Sequence, residues 1–325
     1  MEVIMATATI AEKTSKKRLF PAKKKKLKSG AVGSFSGTIT AIIFFLPFFT
    51  LFCIFTIGPV VYSAFYSVTN FDLVRPPEFV GLGNFRDLLL DDPLFLQAMK
   101  VTFSFALIAG PTGYIMSFVM AWVLNDMRGR KVLALAFYAP SICSGTAMSV
   151  VWGYLFSPDR YGLINNALTN MGIISSPILW TSDPDTIFPC CLLIQIWMSM
   201  GTGFLVFMAG LQNQDRELIE AGSLDGISSR FQELYYITLP QMKPQLLFGA
   251  VNTISSSFSV FGVISSFAGH PTPNYVAHTL IAHMNDYAFT RFEMGYGMAI
   301  ALILFVITYV ASRLCMWMLM DKDDE

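Results

Sequence analysis

The chain has 325 residues, of which 54% are hydrophobic and 14% charged, and its Lys and Arg balance its Asp and Glu. That composition excludes an ordinary water-soluble domain of this length. The zero net charge hides a segregated pattern, with a basic beginning followed by long stretches that carry no charge.

Residues 1–34 read as a basic tail. A Lys-rich segment of this kind suits nucleic acid or a targeting sequence, but the apolar run behind it is far longer than the roughly 7 to 15 residues of a signal core. The tail is therefore read as a solvated cytoplasmic segment that fixes topology and meets anionic lipid, with no nucleic-acid partner.

A helix crossing about 30 Å of hydrocarbon needs about 20 mostly apolar residues. Six stretches without Asp, Glu, Lys or Arg meet that need: Ser29 to Phe71, Val101 to Asn125, Val132 to Pro158, Thr186 to Gln214, Pro244 to Asn285, and Met294 to Ser312 with an apolar continuation to Met320. The first and fifth exceed one span, and Gly58-Pro59 and Gly269-His270-Pro271 mark where their helices stop or bend. The prediction is an all-α, polytopic membrane protein with six transmembrane helices in residues 35–320 and a cytoplasmic tail at 321–325.

Basic residues stay preferentially in the cytoplasm. Of the 22 Lys and Arg residues, seventeen fall on the side of the N-terminal tail, and Arg75, Arg86, Lys100, Arg160 and Arg291 make up the five on the other. Both termini are expected in the cytoplasm.

Cys53, Cys143, Cys190, Cys191 and Cys315 lie in or at apolar spans without metal-ligand or redox spacing, and read as packing residues. His270, His278 and His283 cluster with Asp286 on the outer side. They read as polar loop residues at a membrane surface, with no metal assigned.

No span interior carries an ionisable carboxylate, Lys or Arg. Proton- and sodium-coupled carriers need such groups to bind and release the driving ion, so the pattern argues against a secondary carrier. The chain also lacks a GxxxxGK[ST] phosphate cradle and any catalytic cluster, so no catalytic residue is assigned and any ATP is expected on a partner.

The longest inner loop, Asn213 to Lys243, reads NQDRELIEAGSLDGISSRFQELYYITLPQMK. Asp215 is placed to cap a short helix through Ala221, Gly226 to turn the chain, and Ser229 with Gln232 to form a capping box opening a second helix. Pro240 and Pro244 then stop or redirect that helix at the entrance to the fifth span. So compact an element, with Glu220 and Asp225 near its turn, suits docking in a cleft of another protein.

Glu220-Ala221, Asp225-Gly226 and Ile237-Thr238-Leu239-Pro240 resemble the EAA motif of the permease subunits of ABC importers. The resemblance extends to the maltose-permease-like, carbohydrate-uptake branch through FVGLGNF at Phe79 to Phe85, YGLINN at Tyr161 to Asn166, MAGLQ at Met208 to Gln212, and FEMGYGMA at Phe292 to Ala299. Three departures stand out: Gly222 where the family usually has Ala, Ile227 where it often has Ala, and Gln214-Asp215 where Ile-Pro is common.

The resemblance implies a type I ABC importer permease fold in the bacterial cytoplasmic (inner) membrane. It also implies a second homologous permease, two cytoplasmic ATPase subunits that hold ATP and magnesium, and an extracellular solute-binding protein delivering a carbohydrate. No cofactor is expected on this chain. Glu220, Ala221, Gly222, Asp225, Gly226, Leu239 and Pro240 become the ATPase-coupling residues, with Glu220 facing a basic residue of the ATPase.

The solute path is sought on helices with one polar face. In the fifth span Asn252, Ser256 and Ser259 recur at i, i+4 and i+7, with Ser255 beside them. Such groups either glue neighbouring helices or hydrogen-bond sugar hydroxyls, and the resemblance favours the second. In the fourth span Trp197, Gly201 and Phe204 repeat the spacing, and their rings suit either packing or the apolar faces of a sugar.

Overall fold

The computed structural model describes residues 35–143 and 145–319. Both expected tails, 1–34 and 321–325, lie outside the described residues. Every regular element among those described is helical, apart from one isolated extended bridge between Thr69 and Phe79.

The chain divides after Val60 into two units. The first contains α1 (Phe35–Phe52) and a π-helical turn at Cys53–Ile57. Gly58 to Tyr66, α2, continues the helical run, and Ile39–Tyr66 is apolar and long enough to cross a membrane. The expected stop or bend at Gly58-Pro59 is absorbed by the π turn, in which the Gly58 N–H reaches the Cys53 carbonyl. Widening the turn there accommodates the proline ring, which otherwise meets the carbonyl four residues back.

The second unit runs through α3 (Gly83–Leu90), α4 (Pro93–Asn125), α5 (Arg130–Ile142), α6 (Gly145–Leu155), α7 (Leu163–Asn170) and α8 (Pro184–Gln212). It continues through α9 (Arg216–Leu224), α10 (Arg230–Glu233), α11 (Lys243–Phe258), α12 (Gly262–Ala268), α13 (Leu280–Asn285) and α14 (Met294–Leu319). The two long helices α4 and α8 open alike, with an Asp cap followed by Pro at the first helical position. Asp92 Oδ1 accepts from the Leu94 and Phe95 N–H groups, and Asp183 Oδ1 accepts from that of Asp185.

By length and composition, Ile39–Tyr66, α4, α8 and α14 are membrane spans, and α11 with α12 forms one more if the 41° bend between them lies within a single span. The third expected span, Val132–Pro158, is two shorter helices, α5 and α6. The chain is extended at Cys143 (φ −67°, ψ 140°), which ends α5. The fifth expected span bends earlier than its Gly269-His270-Pro271 sequence signals. Ser256 and Ser257 both direct their hydroxyls to the Thr253 carbonyl (2.9 and 2.7 Å), and α11 ends at Phe258. Such back-bonding competes with the helical ladder and bends helices. Gly269 does follow the end of α12.

α4 and α8 pack along one another through small residues, as helices in lipid do when dispersion replaces the hydrophobic effect. A Cβ at Gly113 would overlap the Ser199 hydroxyl, while Gly203 lies against Ser117. Around this pair sit three apolar clusters. One gathers Phe105, Ile187, Cys191, Ile194 and Ile264; a second gathers Leu124, Phe204, Phe207, Leu211 and Met242; a third joins Leu88, Phe95 and Leu280 to Ala299 and Ile300 of α14. Cys190 and Cys191 therefore serve packing, as their placement suggests.

Buried amides fix the loops. The Asn165 side chain, wholly buried, donates to the Ser157, Asp159 and Ile178 carbonyls and accepts from the Ile178 N–H and Trp180 Nε1–H. Asn84 donates to the Ser67 and Thr69 carbonyls, both at 2.8 Å. Asn165→Asp replaces a donor surrounded by carbonyls with an acceptor. It is expected to destabilise the protein by about 1 to 3 kcal/mol per group left unsatisfied, visible as a lower unfolding temperature of the detergent-purified protein.

Candidate functional site

The loop between α8 and α11 folds as its sequence requires. Asp215 caps α9 by accepting from the Glu217 N–H (2.9 Å), and α9 runs three residues beyond Ala221, to Leu224. Gly226 takes φ +97°, a left-handed conformation that favours glycine. Ser229 accepts from the Gln232 N–H while Gln232 Oε1 accepts from the Ser229 N–H, closing the capping box over α10. Pro240 and Pro244 each occupy a first-turn position, where a missing N–H is tolerated, so the redirection falls at Met242 between them (φ −88°, ψ 5°).

This loop is fastened to the spans on both sides. The Asp215 N–H donates to Gln241 Oε1 (2.9 Å). Arg230 pairs with Asp126 just beyond the end of α4, and its guanidinium lies 5.5 Å from the Trp122 ring centre. Phe231 also meets Trp122, at 5.4 Å between rings. Thr238 and Met242 are buried, the latter in the cluster that holds α4 to α8.

The outer face of the loop is solvent-exposed. Glu220, Ala221, Asp225, Gly226 and Pro240 lie there, with Leu239 half-buried behind them. Large apolar side chains of the same loop are also exposed: Leu224 is 88% exposed, Phe231 73% and Tyr235 67%. Exposed carboxylates and exposed apolar groups thus occur together in this loop. Gly222 alone of the seven residues that the EAA resemblance singles out is buried, and a Cβ there would lie 2.5 Å from the Ile237 side chain and 3.1 Å from that of Ile227. The space beside Gly222 is thus filled chiefly by Ile237 and only in part by Ile227, one of the residues that departs from the EAA pattern.

Asn252, Ser255 and Ser256 on α11 are exposed, and so is Ser259, although it lies just past the helix end and not on a continuous helical face. Ser257, one position on, is buried against Gly110 of α4. The polar row therefore turns away from the packing between α11 and α4. Trp197 is 41% exposed. Gly201 and Phe204 are not brought to a surface with it: a Cβ at Gly201 would overlap Ser141 of α5, and Phe204 is wholly buried, 6.1 Å from the Phe137 ring.

The histidines are a correction. His278 and His283 are buried rather than at a surface, and Asp286 pairs with Arg291 (2.9 Å). Their acidic partner is Asp92, 191 residues away from His283 in sequence. Sequence spacing signalled the cluster but held no sign of this partner. Among the described residues, no group of three or more His, Cys, Asp or Glu side chains is arranged to hold a metal ion.

Apolar spans, the broken fifth helix and a compact exposed loop at the end of α8 define an integral-membrane permease with the ABC importer fold. Residues 22–317 match the family described as the binding-protein-dependent transport system inner membrane component, and the chain belongs to that family. It is 34% identical to the probable ABC transporter permease protein YesP of Bacillus subtilis (strain 168), over 81% of this chain and 85% of that protein. It is 28% identical to the arabinooligosaccharides transport system permease protein AraP of the same strain, over 83% of this chain and 85% of that one. Against the lactose transport system permease protein LacF of Rhizobium radiobacter, identity is 28% over 83% and 89%. A chain of a crystallised bacterial ABC transporter that imports the acidic polysaccharide alginate superposes with a TM-score of 0.73, at 20% identity, over 87% of this chain and 94% of that chain.

Gly222→Ala is expected to crowd the loop at residues 213–243 and lower both stability and transport, since overpacking costs about 1 to 3 kcal/mol. Adding Ile237→Val, which removes the methyl nearest the new Cβ, should restore much of both. Uptake and thermal melting of the single and double variants, each assembled with its partner subunits, check this.

Proposed function

We propose that this chain is one of two permease subunits that together form the membrane path of an ATP-driven carbohydrate importer. In this reading it has six spans, counting α5 with α6 and α11 with α12 as one broken span each. Both termini are cytoplasmic. An extracellular solute-binding protein delivers a sugar or oligosaccharide, as the names of AraP and LacF support. The solved alginate transporter complexed with its pentasaccharide-bound periplasmic protein, again with a TM-score of 0.73, supports the same assembly.

The observation that carries this proposal is the loop at residues 213–243. Its exposed face offers Glu220 and Asp225 beside Leu224 and Tyr235, while its back is held to α4 by Arg230 and Trp122. A surface so mounted suits the transfer of motion from a partner to a span. Two cytoplasmic ATPase subunits, which alone carry ATP and magnesium, close on binding ATP and draw the loop with them. Glu220 meets a basic residue of the ATPase, and Ala221, Gly222, Asp225, Gly226, Leu239 and Pro240 shape the contact.

Asn252, Ser255, Ser256 and Ser259 form the polar wall of the path and exchange hydrogen bonds with sugar hydroxyls, and Trp197 offers an aromatic face to the ring. Gly201 and Phe204 stand behind it and hold α8 to α5.

Glu220→Ala should leave the protein inserted yet reduce uptake per ATP hydrolysed, or release the ATPase, because losing one partner of a buried interfacial charge pair costs about 2 to 5 kcal/mol. Proteoliposome uptake and hydrolysis measured together test it; normal values for both would refute the coupling role.

Replacing Asn252, Ser256 and Ser259 together with Ala should abolish uptake while assembly and ATPase activity persist. Each neutral hydrogen bond contributes about 0.5 to 1.5 kcal/mol, so three lost bonds weaken binding roughly ten-fold to a thousand-fold. Helix glue predicts the reverse order, with assembly failing first. A stable variant with normal uptake would exclude this face.

A further inference from the structure

A relay of buried side chains ties the segment between α12 and α14 to the N-terminus of α4. Asp92 Oδ1 is occupied by the Leu94 and Phe95 N–H groups, and Oδ2 accepts from His283 Nε2 (3.0 Å), Tyr287 Oη (3.0 Å) and Tyr296 Oη (3.2 Å). His283 Nδ1 lies 3.1 Å from His278 Nε2. His278 and His283 are at most 2% exposed. Further ties run parallel to the relay, from Gln97 to the Tyr275 carbonyl (3.0 Å) and from the Leu280 N–H to Thr102 Oγ1 (2.8 Å).

The geometry fixes the protons. Asp92 accepts, so His283 carries its proton on Nε2 and leaves Nδ1 a lone pair. That lone pair must receive a hydrogen bond, so His278 carries its proton on Nε2. The chain therefore ends in a lone pair on Nδ1 of His278, which is buried and has no hydrogen-bond partner. A second buried nitrogen without a partner, Nε2 of His270, belongs to the ring stacked 5.8 Å away.

We propose that Asp92, His283 and His278 form a proton-operated latch that closes the segment 269–293 onto α4, and that a solvent proton taken up at Nδ1 of His278 opens it. The imidazolium so formed is buried beside two further imidazoles, His283 and His270. It meets Tyr275 from its own segment, while Tyr287 packs against His283 and Tyr296 of α14 against Tyr287. The nearby charges are Asp92 at the start of α4, with Asp286 and Arg291 on the segment. Asp92 already serves five donors, so the new cation is stabilised better by water than by the closed loop.

Burial first, then the neighbouring His283 and His270, pushes His278 down to about 4 from its ordinary 6.5. A histidine depressed in the folded state contributes stability that is complete above its ordinary value and is lost as pH falls from about 6.5 towards about 4. Burial opposes ionisation of Asp92 as well, but the attraction of His283, the Phe95 N–H and the Tyr287 hydroxyl hold its carboxyl below the usual range. It therefore stays an acceptor throughout that window.

This inference goes beyond the transport reading and does not depend on the solute. The test is amide hydrogen exchange across residues 276–290 in the intact transporter, from about pH 7.5 to about pH 4.5, corrected for the intrinsic pH dependence of exchange. Protection of this segment should fall about ten-fold or more relative to the middle of α4, the factor that one pH unit of proton linkage supplies. His278→Gln keeps an N–H donor for His283 and cannot titrate, so its protection should stay level. Asp92→Asn keeps a capping oxygen but removes the charge, and should open the segment already at neutral pH. A wild-type segment without the step, or the same step in His278→Gln, overturns the latch. Should His278→Gln fail to assemble, unchanged protection in Asp92→Asn overturns it.

Discussion

Hydrocarbon offers no partner to a peptide N–H or C=O, and that restriction governs the chain from Phe35 to Leu319. Backbone polar groups at membrane depth are satisfied within their own segment, which is why the long elements are helices and why interruptions are local. The Pro59 region keeps its ladder by widening one turn, and the bend after Phe258 follows two serines bonded to the Thr253 carbonyl. Polar side chains with several partners sit outside the apolar spans: Asn165, Asn84, Asp92 and the capping box at Ser229 each close a turn or a helix end. The spans then associate through shape, with Gly113 and Gly203 admitting serines of the facing helix.

The runs that mark the family have separate physical tasks in this frame. In FVGLGNF, Asn84 collects two carbonyls from the segment before it; in YGLINN, Asn165 ties three stretches together. In FEMGYGMA, Gly295 lies so close to the Thr69 carbonyl that a Cβ would overlap it, while its N–H donates to Phe71. Gly210 of MAGLQ fits under Gln245 and Met242, at the root of the loop at residues 213–243. All four runs secure loops and helix ends, which are the points where the backbone leaves regular structure and needs specific partners.

What was legible in the sequence follows the range of the interactions involved. The loop at residues 213–243 was readable almost residue by residue because its caps and turn depend on partners two or three positions away: Asp215 with Glu217, and Ser229 with Gln232. Four spans followed from apolar length alone. The break at Cys143 and the early end of α11 were not, since hydroxyl back-bonding leaves no mark on hydropathy. Nor was the packing of Gly201 and Phe204, whose i, i+3 spacing shows a shared face but not what that face meets. The Asp92 network was hidden most deeply: an acidic residue and a histidine 191 positions apart carry no local signal of each other.

Two polar anchors lie at opposite ends of α4. Asp92 caps its first turn and gathers the His283, Tyr287 and Tyr296 donors, while Asp126 follows its last residue and holds Arg230 of the loop. With 33 residues at about 1.5 Å each, α4 is a rod of roughly 50 Å between them. α8 packs along it, and Ser257 of α11 fits against its Gly110. A rod so gripped shifts as a body unless it bends, and its one internal proline, Pro111, lies a single residue beyond Gly110. The polar row of α11 leaves the helix from this same contact, with Ser257 turned inward and Ser256 outward. Packing thus runs without a gap from Arg230 of the loop, along α4, to the stretch of α11 that carries Asn252 and Ser256.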